Sequence, residues 1–234
     1  TRTMRRASSM VLAAALSVLT ACGPAGAKPL PAQPATVVGL AAVAPGLDPA
    51  VLALALRASS CAARRGLVPA LGLLTVIDYS RPSNEPRLWV LDLTTRTLRY
   101  HELVAHGRGS GELYATRFSN DAGSQQSSLG LFLTAEPYVG QHGRSLRLVG
   151  LEPGTNDHAL DRALVMHGAD YVSAAFAAAQ GRLGRSHGCP ALRSGISAAL
   201  IAEIQGGTPL FAYYPDASWL ERSPFLTGAC AADR

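Results

Sequence analysis

The spacing of apolar and polar positions changes along the chain, and each change predicts a different kind of element. Residues 46–66, "GLDPAVLALALRASSCAARRG", are typical of a capped helix with Asp48 as N-cap, Pro49 in its first turn and Gly66 as terminator. From residue 73 the period becomes two, which is typical of strands. The predicted strands are residues 73–80, 87–93, 97–105, 129–136, 144–151, 163–167 and 208–215.

Two short helices are expected between the strands, near residues 171–179 and 194–205. Thr94 and Thr95 join the second and third strands in a predicted hairpin. This order of elements predicts a mainly β (α+β) fold with short helical insertions. We assign residues 47–230 to a single domain, a length that can enclose one hydrophobic core.

The first 22 residues have the layout of a secretory signal. Arginines precede about fifteen apolar or small residues, a run too short for a membrane-spanning helix. Leu19 to Cys22 resemble a bacterial lipobox, which predicts lipidation of Cys22 and a protein exported to the periplasm and anchored to a membrane. Ordinary cleavage after residues 25–27 is the alternative. Residues 23–46 are rich in alanine, proline and glycine and are expected to form a linker.

Composition narrows the classes of partner. Hydrophobic residues make up 48% of the chain and charged residues 16%, which is the balance of a folded globular protein. The net charge of +5 comes almost entirely from arginine, because Lys28 is the only lysine. These arginines are scattered rather than clustered with aromatic residues, so nucleic-acid binding is not expected. The mild positive charge suits an anionic surface or polymer.

The chain has four cysteines, Cys22, Cys61, Cys189 and Cys230. In an oxidising compartment an even set of thiols is expected to pair. If Cys22 carries lipid and Cys189 stays free for chemistry, Cys61 and Cys230 remain for one disulfide between the first helix and the C-terminus. The alternative is that Cys61 is a buried thiol and that Cys230 lies in a frayed tail.

The segment "GRSHGCPAL", residues 184–192, places Ser186, His187, Gly188 and Cys189 in succession. Cys189 is a candidate nucleophile, a role that requires a base to form the thiolate. A buried structural thiol and a disulfide partner are the other interpretations. Without a Cβ, Gly188 lets the backbone approach a substrate, and the amides of Gly188 and Cys189 are predicted to form an oxyanion hole.

Two histidines are candidates for the base. His167 ends an apolar strand and is followed by Gly168, whose carbonyl can fix the ring tautomer. We assign His167 as the general base, because a residue on another strand can approach the sulfur at a better angle, and His187 as a group that polarises the carbonyl. A zinc site made by His167, His187 and Cys189 is a further alternative. A fourth ligand is not evident, and no metal or other cofactor is predicted.

"SHGC" at residues 186–189, preceded by "MHG" at residues 166–168, resembles the catalytic signature of the L,D-transpeptidases of the YkuD type. The 18 residues between His167 and Ser186 are at the long end of the spacing in that family. "SSLGLF" at residues 127–132 lies where the family often has a TPxGxF strand.

The resemblance extends over roughly residues 73–215 and implies a β-sandwich or partly barrel-like sheet. It also implies cysteine-dependent acyl transfer or hydrolysis on peptidoglycan stem peptides. Cys189 would attack an L,D-linked carbonyl, and His167 would take the thiol proton and return it to the leaving amine, with a thioester between these steps. Ala191 departs from the family, whose members often carry Arg or Asn there. This departure motivates a second hypothesis, a non-catalytic murein-binding lipoprotein that keeps the fold.

Four further residues are candidates for binding the substrate. His106 and Arg108, in the segment "HGRGSG", are predicted to line the cleft and to meet a carboxylate. Arg185, beside the signature, is assigned to the carboxylates of the stem peptide. Ser128 takes the place of the proline in the family's TPxGxF strand and is included in the same surface.

Overall fold

Residues 35–69 and 71–230, together with residue 1, are described by a computed structural model. The predicted signal segment, Cys22 and the predicted linker as far as residue 34 lie outside the described residues. No helix in the described part of the chain is long and apolar enough to cross a bilayer.

Short helices are distributed among nine strands in the described residues. The strands are β1 (Leu73–Asp78), β2 (Leu88–Asp92), β3 (Thr97–Glu102), β4 (Val104–Ala105), β5 (Gly130–Gly140), β6 (Gly143–Gly150), β7 (Val165–Ala169), β8 (Ala191–Arg193) and β9 (Pro209–Tyr213). The helices are α1 (Ala35–Val43), α2 (Pro49–Arg64), α3 (Ala174–Gln180), α4 (Ser194–Ile204), α5 (Ala217–Arg222) and a 3₁₀ helix at Gly228–Cys230. Each strand and helix predicted after residue 46 is present, with shifted ends.

All nine of these strands belong to one sheet, in the order β3-β2-β1-β9-β5-β6-β7-β8-β4. The two edge strands, β3 and β4, are separated along the chain by Leu103 alone. This connection brings the two edges together, so the sheet curls into a nearly closed barrel. Arg193 of β8 spans the seam to Glu102 of β3 with two hydrogen bonds, at 2.8 and 2.6 Å. The expected mainly β, partly barrel-like fold is confirmed.

The prediction of a linker over residues 23–46 is wrong for its last part, because residues 35–43 form α1. Val37 and Leu40 of this helix are buried in the main core. The helix "ATVVGLAAV" is apolar on almost all sides, so it lacks the polar stripe by which a surface helix is normally recognised.

Three other features differ from the sequence prediction. The strand expected over residues 97–105 is divided at Leu103, where the chain passes from one edge of the sheet to the other. Strand β8 has only three residues, too few to show a period of two. Helix α5 follows Asp216, whose side chain caps it by accepting the Trp219 amide at 2.8 Å.

The predicted disulfide between Cys61 and Cys230 is confirmed. It joins α2 to the C-terminal 3₁₀ helix, with 5.6 Å between the two Cα atoms, and both residues are buried. The alternative of a buried free thiol and a frayed tail is therefore wrong. Helix α2 itself begins as predicted, since Asp48 accepts the Ala50 amide at 2.7 Å.

Candidate active site

The parallel pairing of β7 and β8 brings the two main candidate residues together. His167 of β7 lies opposite Ala191 of β8, and α3 lies in the crossover between these strands. Extended back by two residues, the same register sets Cys189 beside Val165, whose amide donates to Sγ at 3.5 Å. His167 and Cys189 are therefore diagonal neighbours on adjacent segments. The usual spacing between strands and between residues along a strand puts their Cα atoms about 8 Å from each other.

Cys189 is a free, half-buried thiol. Its Sγ accepts the Val165 amide and donates to the carbonyl of Ala163 at 3.7 Å, so in this conformation it contacts backbone groups. Burial raises the pKa of the thiol, whereas the Val165 amide and the positive charge of Arg162 lower it. Burial has the largest effect, so the resting group is a neutral thiol that needs a base to become a nucleophile.

His167 is buried, and its orientation is fixed by the next residue. Its Nδ1 lies 2.9 Å from the carbonyl oxygen of Gly168, the contact predicted from the sequence. Because a carbonyl can only accept, Nδ1 carries the proton and Nε2 keeps its lone pair. Burial lowers the pKa of His167, which keeps the ring neutral near pH 7. His142, from the turn between β5 and β6, stacks on this ring with 4.3 Å between centroids.

Gly168 is required by the close approach of α4. A Cβ at this position would lie 2.5 Å from Ser197 Oγ and 3.3 Å from Ser194 Cα. The helix therefore packs directly against the end of β7, beside the residue whose carbonyl orients His167.

The turn that carries Cys189 is closed by Ser186. The Oγ of Ser186 donates to the carbonyl of Cys189 at 2.6 Å and accepts the Gly188 amide at 3.1 Å. Gly188 adopts a φ of +125°, and a Cβ there would lie 2.8 Å from the carbonyl oxygen of Gln126. The oxyanion hole predicted from the Gly188 and Cys189 amides is not open in this conformation, because the Gly188 amide already donates to Ser186 Oγ. The Cys189 amide lies against its own sulfur, where it lowers the thiol pKa.

Behind this turn, Ser127 joins three segments of backbone. Its Oγ accepts the Gly107 amide at 3.0 Å and donates to the Gly188 carbonyl at 2.9 Å, while its own amide donates to Ser110 Oγ at 2.9 Å. Sequence reasoning selected the neighbouring Ser128 and missed Ser127. The motif "SSLGLF" contained the signal, but the packing partners that distinguish its two serines are far away in sequence.

The prediction that His106 binds substrate is wrong. The side chain is fully buried, with Nδ1 at 2.7 Å from Arg87 Nη2 and Nε2 at 3.3 Å from the carbonyl oxygen of Gly111. Because the guanidinium can only donate, Nδ1 accepts and Nε2 carries the proton. Burial and the charge of Arg87 lower the pKa of His106 to about 3, so the ring stays neutral and holds the 106–111 segment from inside.

Arg185 and Ser128 are also occupied by internal partners rather than free for a substrate. Arg185 Nη1 bonds Glu112 Oε1 at 2.6 Å, so a carboxylate of the protein takes the place predicted for one of the stem peptide. Ser128 is buried, donates to the Ser119 carbonyl at 2.8 Å and accepts Arg162 Nη1 at 2.6 Å. These ties join elements distant in sequence, which a local motif does not reveal.

Arg108 and His187 form an exposed rim beside the Cys189 turn. Nη2 of Arg108 contacts Nε2 of His187, and both side chains face solvent. The backbone amide of Arg108 donates to the Ser186 carbonyl at 2.9 Å, which fixes the rim to the turn. Both predicted residues therefore lie at the mouth of the site, with Arg108 in a position to meet an anion.

The structure does not bring His167, His187 and Cys189 together as the ligands of a zinc site. Among the described residues, no group of three or more His, Cys, Asp and Glu side chains is placed to hold a metal ion. His187 instead contacts a guanidinium, which would repel a cation from that side.

Besides Ser127, two further contributors to the site were missed. Arg162 lies in the turn before β7 and places its charge close enough to Cys189 to lower the thiol pKa. His142 reaches His167 from the tip of the β5–β6 hairpin. Neither residue belongs to a recognisable motif, and only the folded chain brings them to the signature.

These features define a mainly β protein with a curled sheet, in which a free thiol two residues before β8 lies near a buried imidazole on the parallel strand β7. The profile of the L,D-transpeptidase catalytic domain matches residues 43–213, and the chain belongs to that family. The resemblance inferred from "SHGC" and "MHG" is confirmed.

Several solved structures have a similar outline at low sequence identity. An L,D-transpeptidase from Mycobacterium smegmatis is 13% identical, with a TM-score of 0.39 over 61% of this chain and 59% of that chain. L,D-transpeptidase 3 from Mycobacterium tuberculosis is 13% identical, with a TM-score of 0.39 over 61% of each chain. The helical cell shape determining protein Pgp2 from Campylobacter jejuni is 9% identical, with a TM-score of 0.42 over 64% of this chain and 49% of that chain. The chain thus spans about three fifths or less of the length of these proteins. Curated proteins gave no significant match.

Proposed function

We propose that this protein is a cysteine-dependent acyltransferase or hydrolase that acts on peptidoglycan stem peptides. Membership of the L,D-transpeptidase catalytic domain family supports the substrate class. The observation that carries the mechanism is the β7–β8 pairing, which sets a free thiol beside a buried imidazole. The neutral state of both groups favours proton transfer during attack over a preformed thiolate–imidazolium pair.

In the proposed first step, Cys189 attacks the carbonyl carbon of an L,D-linked bond in the stem peptide. Rotation about its Cα–Cβ bond turns Sγ from the Ala163 carbonyl towards Nε2 of His167, which takes the thiol proton as the S–C bond forms. The tetrahedral intermediate then collapses, the C–N bond breaks, and His167 returns the proton to the leaving amine. The product is a thioester between Cys189 and the acyl fragment.

A second nucleophile completes the proposed reaction. The amine of another stem peptide gives transpeptidation, and water gives hydrolysis. In either case His167 removes a proton from the attacking nitrogen or oxygen, the C–S bond breaks, and the proton passes to the departing sulfur. The thiol and the neutral imidazole are regenerated, so the cycle is balanced.

Arg108 supports an anionic substrate at the mouth of the proposed site. It is exposed, and its contact is with an imidazole rather than with a carboxylate of the protein. A guanidinium in this state can form a charge-assisted pair with a stem carboxylate at little internal cost.

We further propose that the protein is exported to the periplasm and anchored there through Cys22. The Cys61–Cys230 disulfide supports an oxidising compartment, because structural disulfides are rare in reducing ones. Labelling cells with a lipid precursor, with Cys22→Ala as control, tests the anchor.

The decisive experiment incubates purified protein with muropeptides that carry tetrapeptide stems, with and without an added amine acceptor. We expect a Cys189-dependent product by liquid chromatography and mass spectrometry, and a thioester adduct on Cys189 by intact mass. Cys189→Ala, which removes only the sulfur, is the matched control and should give neither. Product that depends on the amine identifies transfer, and product without it identifies hydrolysis.

The non-catalytic alternative makes a different prediction for the same samples. A murein-binding protein would retain muropeptides in a pull-down, yet show no product and no adduct, and Cys189→Ala would bind equally well. That combination of results would overturn the enzymatic proposal.

A further inference from the structure

We propose that Arg162 is a positioning residue for Cys189, fixing the turn that carries the nucleophile and holding a permanent positive charge beside its sulfur. Any effect of Arg162 on turnover rests on the proposed function. Its effect on the sulfur can be measured separately, as the reactivity of the Cys189 thiol.

The guanidinium of Arg162 is held by four hydrogen bonds to one polar segment, residues 119–128, which we call the polar wall. Nη1 donates to the Ser119 carbonyl and to Ser128 Oγ, both at 2.6 Å. Nη2 donates to the Gln126 carbonyl at 2.6 Å and to Ser124 Oγ at 3.1 Å. These bonds use the four N–H groups of the two terminal nitrogens, so the group is locked in place.

All four acceptors are uncharged, which is unusual for a half-buried guanidinium. Among the described residues, Arg162 forms no ion pair, and Asp121 acts on it only at longer range. Burial accordingly lowers the pKa of Arg162. Its charge is therefore left uncompensated by any carboxylate in direct contact, and it remains available to act on a nearby anion.

The backbone around Arg162 leads directly to the sulfur. Sγ of Cys189 contacts the carbonyl of Ala163 and the amide of Val165, the first and third residues after Arg162. On the other side, a Cβ on Gly188 would lie 3.5 Å from Arg162 Nη2. The guanidinium thus sits between the polar wall and the Gly188–Cys189 turn, and the two charges influence each other: Arg162 lowers the pKa of Cys189, and Cys189 raises that of Arg162.

The turn that contains Arg162 is itself built to hold this geometry. The Leu164 amide bonds the Ala159 carbonyl and the Ala163 amide bonds the Leu160 carbonyl, both at 2.9 Å, which is the pattern that ends a helical turn. Ala163 has a φ of +51° at the position where glycine is usual. The carbonyl that meets Sγ therefore comes from a fixed, left-handed residue.

The other titratable groups around the sulfur do not supply this charge. Tyr79 and Tyr171 interact with Cys189, but burial raises the pKa of each to about 12, so both are neutral at pH 7. His167 is neutral because burial lowers its pKa. His187 is exposed and contacts Arg108 at the rim. Arg162 is consequently the fixed cation that stabilises the developing thiolate.

Arg162 acts through Cys189 and not as a carboxylate anchor for the substrate. Its terminal N–H groups are already satisfied, so a ligand carboxylate would have to break bonds to the polar wall. Loss of the charge should therefore change the pH at which the sulfur reacts, an effect that a purely structural contact would not produce.

The test measures the rate at which iodoacetamide alkylates Cys189 between pH 6 and pH 11.5, because burial raises the pKa of the thiol, and the reaction is followed at the Cys189 peptide by mass spectrometry. It uses the full chain and needs no muropeptide. For Arg162→Gln we expect the midpoint to rise by about one pH unit, which is roughly a tenfold slower reaction near pH 7. For Arg162→Lys we expect the midpoint to stay close to that of the wild type, while the maximal rate changes because an ammonium cannot meet four acceptors.

Arg222→Gln is the matched control, since it removes one positive charge from an exposed residue of α5 that donates to the Ser218 carbonyl. Its profile should coincide with the wild type. An unshifted profile for folded Arg162→Gln overturns the proposal. If Arg162→Gln does not fold, Arg162→Lys decides: a midpoint that rises by a full unit excludes the charge effect, and a profile identical to wild type in both midpoint and rate excludes positioning. A normal alkylation result without muropeptide turnover would instead contradict the proposed function alone.

Discussion

The candidate site has two layers of residues, which differ in how many hydrogen bonds they make to the rest of the protein. The inner layer consists of Ser127, Arg162, His167 and Gly188, which are buried or half-buried and bonded to several segments of backbone. The outer layer consists of the rim residues Arg108 and His187 together with His142, which are exposed and contact one another or the inner layer through their side chains. The geometry of the thiol is therefore fixed by bonds within the protein, while the exposed side chains around it remain adjustable.

This division has a physical basis in the cost of ordering groups. A catalytic group is effective only if it is held within a fraction of an ångström of its productive position, which buried and fully bonded residues provide. Arginine and histidine at an exposed rim lose side-chain freedom on binding and gain charge-assisted contacts in exchange. Variants in the two layers should therefore differ in what they change: stability and rate constants for the inner layer, apparent affinity for the rim.

The largest effect is expected for His167→Ala. Loss of the base should reduce kcat on muropeptides by about 100- to 10,000-fold, because the neutral Cys189 thiol then has no acceptor for its proton. Steady-state rates of product formation measure this. The control is His142→Ala, which removes the exposed imidazole stacked on His167 but leaves the base, and which should keep kcat within about threefold. Equal losses in the two variants would contradict the assignment of His167 to the inner layer.

The next effect concerns the fold of the nucleophile turn. Gly188→Ala should lower the free energy of unfolding by about 3 kcal/mol, since the residue has a φ of +125° and its Cβ would lie 2.8 Å from a carbonyl oxygen. Chemical denaturation measures the change. Gly154→Ala separates backbone strain from the clash, because Gly154 has a φ of +71° with open space around it. We expect a cost of about 1 kcal/mol there, and similar values for both variants would mean that the turn is not tightly packed.

The elements of the fold and the two signature residues were predictable from the sequence, but their bonding partners were not. The strands were recognised as short apolar runs bounded by turn residues, and β1, β2, β7 and β9 are buried at nearly every position. Their order in the sheet depends on pairing between distant segments, which the sequence pattern does not reveal. Helix α1 was missed because it is apolar all round. The signature residues Cys189 and His167 were recognised because each lies in a short local motif, "SHGC" and "MHG". Their partners were not, because Ser127 and Arg162 act through contacts made only on folding.

The residues predicted to bind substrate also show that contacts made on folding cannot be read from the sequence. His106 and Arg185 were both assigned to substrate binding, His106 because its segment precedes the "SSLGLF" strand and Arg185 because it lies beside the signature. Each is instead bonded to another side chain of the protein, His106 to Arg87 in the interior and Arg185 to the exposed Glu112. Residue type indicates what a side chain can bind, but burial and the partners already in place decide whether it is free to do so.

A third prediction uses the pH dependence of stability to test the interior position of His106. Its pKa is about 3 in the folded protein, below the ordinary value near 6.5, so between these pH values the unfolded chain binds a proton that the folded chain does not. The free energy of unfolding should therefore fall as the pH falls below 6.5, by up to about 1.4 kcal/mol per unit from this residue. Urea denaturation at pH 7.5, 6 and 5 measures the slope. His106→Gln has no such titration, and its slope should be smaller; parallel curves would contradict a buried neutral His106.

The smallest effect on stability is expected at the rim, for Arg108→Gln. The side chain is exposed and has no carboxylate partner among the described residues, so the free energy of unfolding should change by less than about 0.5 kcal/mol. If Arg108 meets a carboxylate of the stem peptide, KM for muropeptides should rise about three- to tenfold while kcat stays close to the wild type. The KM of the wild type should also rise with salt, and this dependence should weaken in the variant, because the interaction is screened at the surface. Arg222→Gln lowers the net charge equally on α5 and separates a local contact from a general electrostatic effect. An unchanged KM together with a marked loss of stability would place Arg108 in the inner layer and remove the distinction between the two.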